Sequence, residues 1–124
     1  MKNFKDLIVW QKAHRFVLGM YKVTRTFPTE ELYHLTSQLR RSSTSIPTNL
    51  AEGCGRFTQK DFAHFVQNAL GSAQEIEYLT FLSLELGYLQ LQEFKKLDSQ
   101  INEIKAMLIG LLQKIRKDLV KTKK

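Results

Sequence analysis

The chain has 124 residues, of which 19 are Lys or Arg and 12 are Asp or Glu, giving a net charge of +7. This length predicts one domain over residues 1–124, and the excess of positive charge favours polyanionic partners such as nucleic acid. One cysteine excludes an intramolecular disulfide framework and fits a cytoplasmic location, while the absence of a long apolar run or a signal-peptide pattern excludes a membrane span and a secreted class.

The first predicted helix, about residues 6–26, has an apolar side and a basic side. Its apolar residues, from Val9 to Tyr21, recur at helical spacing. The opposite side, here called the basic stripe, consists of Lys12, Arg15, Lys22 and Arg25. No acidic residue of this helix lies among them, whereas an ordinary surface mixes the two signs of charge. The basic stripe therefore predicts phosphate contacts that give affinity without reading a sequence, and the alternative is a solvated lysine face.

The second predicted helix, about residues 30–53, contains a run of hydroxyl side chains before Pro47. Thr29 is placed to cap this helix, and Gly53 or Gly55 ends it. The leucines and Ile46 keep helical spacing, which turns a polar band away from them. That band consists of Arg41, Ser45, Thr48 and Glu52. The other small hydroxyls, at positions 42 and 43, are expected where another helix approaches closely.

The third predicted helix, about residues 59–86, opens with a capping-box variant formed by Thr58 and Asp61. One core face runs from Phe62 to Thr80. From Ile76 onward the helix is apolar on nearly every side, although a bundle helix buries only one stripe. We expect this second apolar face to drive self-association. Its predicted interface residues are Tyr78, Phe81 and Leu82.

The fourth predicted helix, about residues 91–119, carries an apolar residue every three or four positions. These predicted core residues are Phe94, Leu97, Ile101, Ile104, Leu108, Leu111 and Ile115. The spacing is typical of a left-handed helical bundle. A second basic group follows at the end of the helix and leads into a basic tail at 120–124. The candidate nucleic-acid contacts in this group are Lys114, Arg116, Lys117 and Lys121. Together the four segments predict an all-α, antiparallel up-down four-helix bundle.

The segment RRSSTSIPTNLAEGCGR, preceded by EELYHLTSQL and followed by ALGSAQEIEYL, carries a family resemblance. The chain resembles the four-helix-bundle family of the 23S rRNA intervening-sequence proteins, which bacteria encode in inserts within large-subunit rRNA genes. The accessory protein of diversity-generating retroelements is a relative of that family. The resemblance covers nearly the whole chain, from FKDLIVWQKA to the turn at Gly87–Leu89.

The resemblance implies a homopentamer that associates with nucleic acid, RNA in particular. It also implies that part of the polar band and the following turn form a structural network at helix–helix or subunit contacts. The residues of that network are Arg41, Ser45, Asn49, Glu52 and Arg56. A solvated polar face is the alternative for these side chains.

Nothing in the sequence has the spacing of a catalytic or cofactor site. His14, His34 and His64 lie on separate segments without paired ligand spacing, and Cys54 has no supporting His and Asp arrangement. We therefore expect no enzyme activity, metal or cofactor. The leading functional prediction is a non-enzymatic homo-oligomer that binds RNA or DNA with low sequence specificity. The alternative is a protein-interaction module, such as an accessory subunit of a reverse transcriptase, that does not bind nucleic acid by itself.

Overall fold

The computed structural model describes residues 2–122 and contains four α-helices in that range. They are α1 (Ile8–Thr24), α2 (Leu35–Cys54), α3 (Gln59–Glu85) and α4 (Leu91–Thr122). Two short 3-10 turns, Phe4–Asp6 and Thr29–Glu31, precede α1 and α2. No strand occurs within residues 2–122, and the all-α prediction is confirmed.

Pairs of side chains from neighbouring helices show that successive helices run antiparallel. Between α2 and α3, Ser45 contacts Ser72, while Gly53 lies against Phe62. Between α3 and α4, Glu77 pairs with Lys105 and Gln67 accepts from Arg116. Between α1 and α2, Arg40 donates to Thr24, while the Lys2 N–H ahead of α1 bonds to the Cys54 carbonyl. Lys12 of α1 also pairs with Glu103 of α4. The helices therefore form an up-down ring in which α1 also contacts α4; the left-handed twist stays a prediction.

The core consists of one side of each helix, as the apolar spacing predicts. In α4, five predicted core positions are buried: Leu97, Ile101, Ile104, Leu108 and Ile115. The prediction differs at two positions: Phe94 is only partly buried, and Leu112 is buried in place of Leu111, which lies at the edge of the core. A strict 3-4 alternation follows a 3.5-residue repeat, whereas a straight helix has 3.6 residues per turn and moves the buried position one residue onward.

The observed start of α2 corrects the predicted boundary at residue 30. Thr29 begins a 3-10 turn and makes no side-chain cap, and the α-helix starts only at Leu35 after a non-helical His34. Instead of a capping hydroxyl, a Glu31 carboxylate oxygen accepts a hydrogen bond from the Leu35 backbone N–H at 3.4 Å. At its other boundaries, α1 is shorter than predicted at both ends, and α4 continues to Thr122. The helix thus includes the first part of the predicted basic tail; Lys123 and Lys124 lie outside the described residues.

Defined hydrogen bonds form the turns that precede and follow α3. At the start, Thr58 Oγ1 accepts a hydrogen bond from the Asp61 backbone N–H at 3.1 Å, as the capping-box pattern predicts. At the end, Gly87 has a φ of 81°, and the Tyr88 N–H bonds to the Ser83 carbonyl at 2.9 Å. This is a Schellman motif, in which glycine accommodates the left-handed conformation. It turns the chain into α4.

Candidate nucleic-acid interface

A groove that involves the basic stripe lies between α1 and α4. It has a volume of about 580 Å³, and Arg15 and Lys22 line its α1 side. Lys96 and Gln100 line the α4 side, and Val23 and Leu97 are also part of the wall. The groove is open beside Gly19. A methyl group added to this glycine would have no neighbouring heavy atom within 4 Å outside its own stretch of helix. Three cationic side chains from two helices therefore surround one elongated groove.

Helix α4 also supplies acidic side chains that the sequence of α1 does not reveal. Lys12 Nζ lies 2.9 Å from Glu103 Oε1, and Glu93 lines the same groove as Lys22. The basic stripe is therefore free of acids only along its own helix. Arg25 is exposed at the end of α1 and does not line this groove. The cationic part of the groove thus consists of Arg15, Lys22 and Lys96, the last of which sequence analysis missed because helix neighbours are set by packing.

The second basic group lies far from this groove. Lys114, Arg116, Lys117 and Lys121 are all exposed on α4, and the Arg116 guanidinium donates to Gln67 Oε1 on α3 at 2.9 Å. Lys96, beside Lys22, and Lys117 are separated by about 30 Å of helix at ~1.5 Å per residue. The eight basic residues proposed from sequence therefore do not form one surface. Arg15 and Lys22 line the α1–α4 groove, Lys12 is paired with Glu103 and Arg25 lies beyond the groove, while the other four lie on the last part of α4.

Small polar side chains connect α2 to α3 at the polar band. The Ser72 hydroxyl is 2.9 Å from Ser45 Oγ, which also accepts from Asn49 Nδ2 at 2.9 Å. Ser43 is fully buried and Ser42 nearly so, as expected for a close helix approach. Arg41 and Glu75 lie on opposite walls of an adjoining polar cleft of about 380 Å³. The band is therefore partly a helix–helix contact, in addition to being a solvated face.

Within a single chain, the proposed network of the polar band is not continuous. Asn49 bonds Ser45, and the Arg56 guanidinium lies 4.7 Å from the centre of the Phe65 ring. Arg41 and Glu52 are exposed, and the ion pairs within residues 2–122 do not include them. Sequence analysis also missed Arg40, whose Nε donates to Thr24 Oγ1 at 2.9 Å while its guanidinium covers the Tyr21 ring. Arg40 thereby joins α1 to α2.

The outer face of α3 carries exposed aromatic side chains. Tyr78 is 60% exposed and Phe81 is 48% exposed, whereas Leu82 is half-buried against the core. Of the three interface residues predicted from sequence, two therefore leave apolar surface in water in a single chain. Leu82 contributes mainly to the bundle itself.

Titratable side chains in the described range do not assemble into a metal-binding group. Within residues 2–122, no group of three His, Cys, Asp or Glu side chains lies close enough to hold a metal ion. Cys54 is buried, and burial raises the pKa of its thiol because the thiolate is poorly solvated. His14 stacks on Trp10 with ring centres 5.2 Å apart. No helix in the same range is long and apolar enough to cross a lipid bilayer.

These features define the chain as a small, basic four-helix-bundle protein with a cationic groove and an exposed aromatic face. It belongs to the 23S rRNA-intervening sequence protein family, whose model matches residues 5–110. The fold is similar to the crystal structure of a protein with unknown function from the S23 ribosomal protein family of Bacteroides thetaiotaomicron VPI-5482, with a TM-score of 0.79 and 24% identity. That alignment covers 85% of this chain and 98% of the other. No curated protein matches the chain.

Proposed function

We propose that this protein is a non-enzymatic helical bundle that assembles with itself, as a pentamer, and binds RNA or DNA through basic surface residues. The observation that carries the nucleic-acid proposal is the α1–α4 groove, where Arg15, Lys22 and Lys96 line one cavity of about 580 Å³. The net charge of +7 supports it, because a surplus of cations attracts polyanions over long distances.

The groove is suited to contacts with phosphates and not to base reading. Its cations come from α1 and α4, two helices that pack side by side in the bundle. Contacts of this type give affinity that depends strongly on salt and weakly on sequence. Repetition of the groove around a symmetric assembly would multiply the attraction.

The direct test is fluorescence anisotropy with a labelled structured RNA, titrated from low to physiological salt. Replacement of Lys12, Arg15, Lys22 and Arg25 by Glu should abolish binding. As a matched control, Arg15→Lys with Arg25→Lys preserves the charge and should retain binding. The wild-type affinity should fall with a log–log salt slope of roughly 0.7–0.9 per phosphate neutralised. Binding by the Glu variant at the wild-type level would contradict a role for the basic stripe.

A second candidate function is a protein-interaction module, such as an accessory subunit of a reverse transcriptase. The groove favours this alternative in one respect: Val23 and Leu97 lie among its basic side chains, as in a surface that binds an acidic amphipathic helix. Failure of the wild type to bind RNA at low salt would favour the protein-interaction function over nucleic-acid binding. The position of the gene, inside an rRNA gene or beside a reverse transcriptase gene, separates the same two functions.

A further inference from the structure

Phe57 is an aromatic side chain that the fold holds in solvent. It is 91% exposed, more than any other large hydrophobic residue in the described range. Backbone hydrogen bonds from Gly55 to Glu52 and from Arg56 to Gly53 order the preceding turn, and Thr58 caps the helix that follows. A third backbone bond, from the Lys2 N–H to the Cys54 carbonyl at 3.0 Å, ties the start of the chain to this turn. The ring therefore projects from a fixed position and adds nothing to the core.

The bundle end that carries Phe57 has more cations than carboxylates. At this end lie the start of α1, the α2–α3 turn and the end of α4. Its described cations are Lys2, Lys5, Arg56, Lys60, Arg116, Lys117 and Lys121, and its carboxylates are Asp6, Glu52, Asp61 and Asp118. At the opposite end the two signs nearly balance, with Lys22, Arg25, Arg40, Lys95 and Lys96 against Glu30, Glu31, Glu85 and Glu93. Among the described residues, the end that carries Phe57 thus has the larger surplus of positive charge, three against one.

A small cleft lies beside the Phe57 ring. It has a volume of about 160 Å³, and its lining includes Lys2, Arg56 and Gln59. Lys2 Nζ lies 4.9 Å from the centre of the Phe62 ring, and the Arg56 guanidinium lies 4.7 Å from that of Phe65. Neither cation belongs to an ion pair within residues 2–122. Contacts with aromatic faces hold both side chains near Phe57 without neutralising their charge.

We infer that this end of the bundle binds an unpaired nucleotide of single-stranded RNA or DNA, with the base stacked on Phe57 and its phosphates near Lys2, Arg56 and Lys60. Exposed aromatic rings beside cations are the means by which proteins bind single strands, because every base has a face that can stack. In a duplex those faces are covered by neighbouring base pairs. Phe57 therefore selects single strands, whereas the α1–α4 groove responds only to phosphate charge. The inference rests on the proposed nucleic-acid binding and specifies its ligand.

The test compares a short labelled RNA as a single strand with the duplex that it forms with its complement. Wild type should bind the single strand more tightly than the duplex. Phe57→Ala should weaken single-strand binding by about fivefold or more, as expected for the loss of one stacked base, and leave duplex binding unchanged. Phe57→Trp should retain the single-strand preference. Circular dichroism should show unchanged helicity in both variants, because the side chain has no core contacts to lose.

Tyr33 supplies a matched control from the opposite end of the bundle. It is 85% exposed but follows Glu30 and Glu31, so Tyr33→Ala should change neither affinity. Equal single-strand affinities for wild type and Phe57→Ala, or equal losses on single strand and duplex, would overturn the stacking site while leaving the proposed function in place. An absence of wild-type binding to both RNAs at low salt would overturn the stacking site and the proposed function together.

Discussion

At Gly53 the backbone of α2 passes so close to α3 that a methyl group has no room. A β-carbon there would lie 2.9 Å from Phe62 Cδ1 and 2.9 Å from Phe65 Cβ. Phe62 is buried in the core, and Phe65 Cβ is fixed to the α3 backbone, so neither atom moves away easily. The glycine is needed here for close packing between helices and not for an unusual φ angle.

We expect Gly53→Ala to lower the free energy of unfolding by about 1–3 kcal/mol, the usual cost of overpacking. Urea denaturation followed by circular dichroism measures the change. The matched control is Gly110→Ala in α4, where no atom lies within 4 Å of the new methyl group. There the higher helix propensity of alanine should raise stability by about 0.5–1 kcal/mol. A Gly53→Ala protein as stable as wild type would show that α2 and α3 can separate at no cost.

The burial of some individual residues could be predicted from the sequence, whereas the hydrogen-bond partners of others could not, for a definite physical reason. The burial of Ser42 and Ser43 followed from small side chains at positions near the leucine face of α2. The bond between Ser45 and Ser72 could not be predicted, because the two residues are 27 positions apart and their meeting depends on the alignment of α2 against α3. The Arg40 bond to Thr24 depends in the same way on how α1 packs against α2.

A partly buried ion pair links α3 to α4. Lys105 Nζ lies 2.8 Å from Glu77 Oε1, and both side chains are mostly shielded from solvent. The hydrogen bond from Lys105 holds the pKa of Glu77 below its ordinary value, because it stabilises the carboxylate. A carboxylate whose pKa is lowered by folding stabilises the folded state above its unfolded pKa of about 4.3. That stabilisation is lost as the pH falls through the lower folded pKa.

We therefore expect Glu77→Gln to reduce the free energy of unfolding by about 0.5–1 kcal/mol near pH 7, after allowance for solvent screening. The difference from wild type should shrink toward zero as the pH falls below about 4.3. Urea titrations at several pH values measure it. Glu103→Gln, which breaks the more exposed pair with Lys12, is the matched control and should cost less at pH 7. A loss at Glu77 that does not vary with pH would mean that the side chain acts through packing.

The existence of the four helices was predictable from apolar spacing, whereas their boundaries were less so, above all the start of α2. The hydroxyl of Thr29 and the acids after it have the composition of a helix start, yet the chain forms only a 3-10 turn there. Glu31 instead accepts a local hydrogen bond from the Leu35 N–H and a tertiary one from the Tyr88 hydroxyl at 2.9 Å. A bond to a residue 57 positions away cannot be predicted from the residues next to Glu31 in the sequence.

For the whole molecule, the candidate site was predictable only as a set of charges. The basic stripe on α1 followed from helical spacing, but its neighbours Lys96, Glu93 and Glu103 depend on α1 packing beside α4. Composition likewise revealed the excess of cations without revealing that it is larger at one end of the described bundle than at the other. Net charge is a sum over the chain, whereas binding depends on where the charges lie in space.

Self-assembly of the whole molecule is expected to use the outer face of α3. Tyr78 and Phe81 leave aromatic surface in water, and burial of one large apolar side chain contributes about 1.5–3 kcal/mol. We expect light scattering to give a pentamer for wild type and a monomer for Tyr78→Glu with Phe81→Glu, since a carboxylate in an apolar contact is poorly solvated. Tyr33→Glu, at a comparably exposed aromatic outside α3, should leave the assembly intact. A wild-type monomer at micromolar concentration would refute assembly itself, whereas a pentamer that survives both Glu substitutions would place its interface on another face of the bundle.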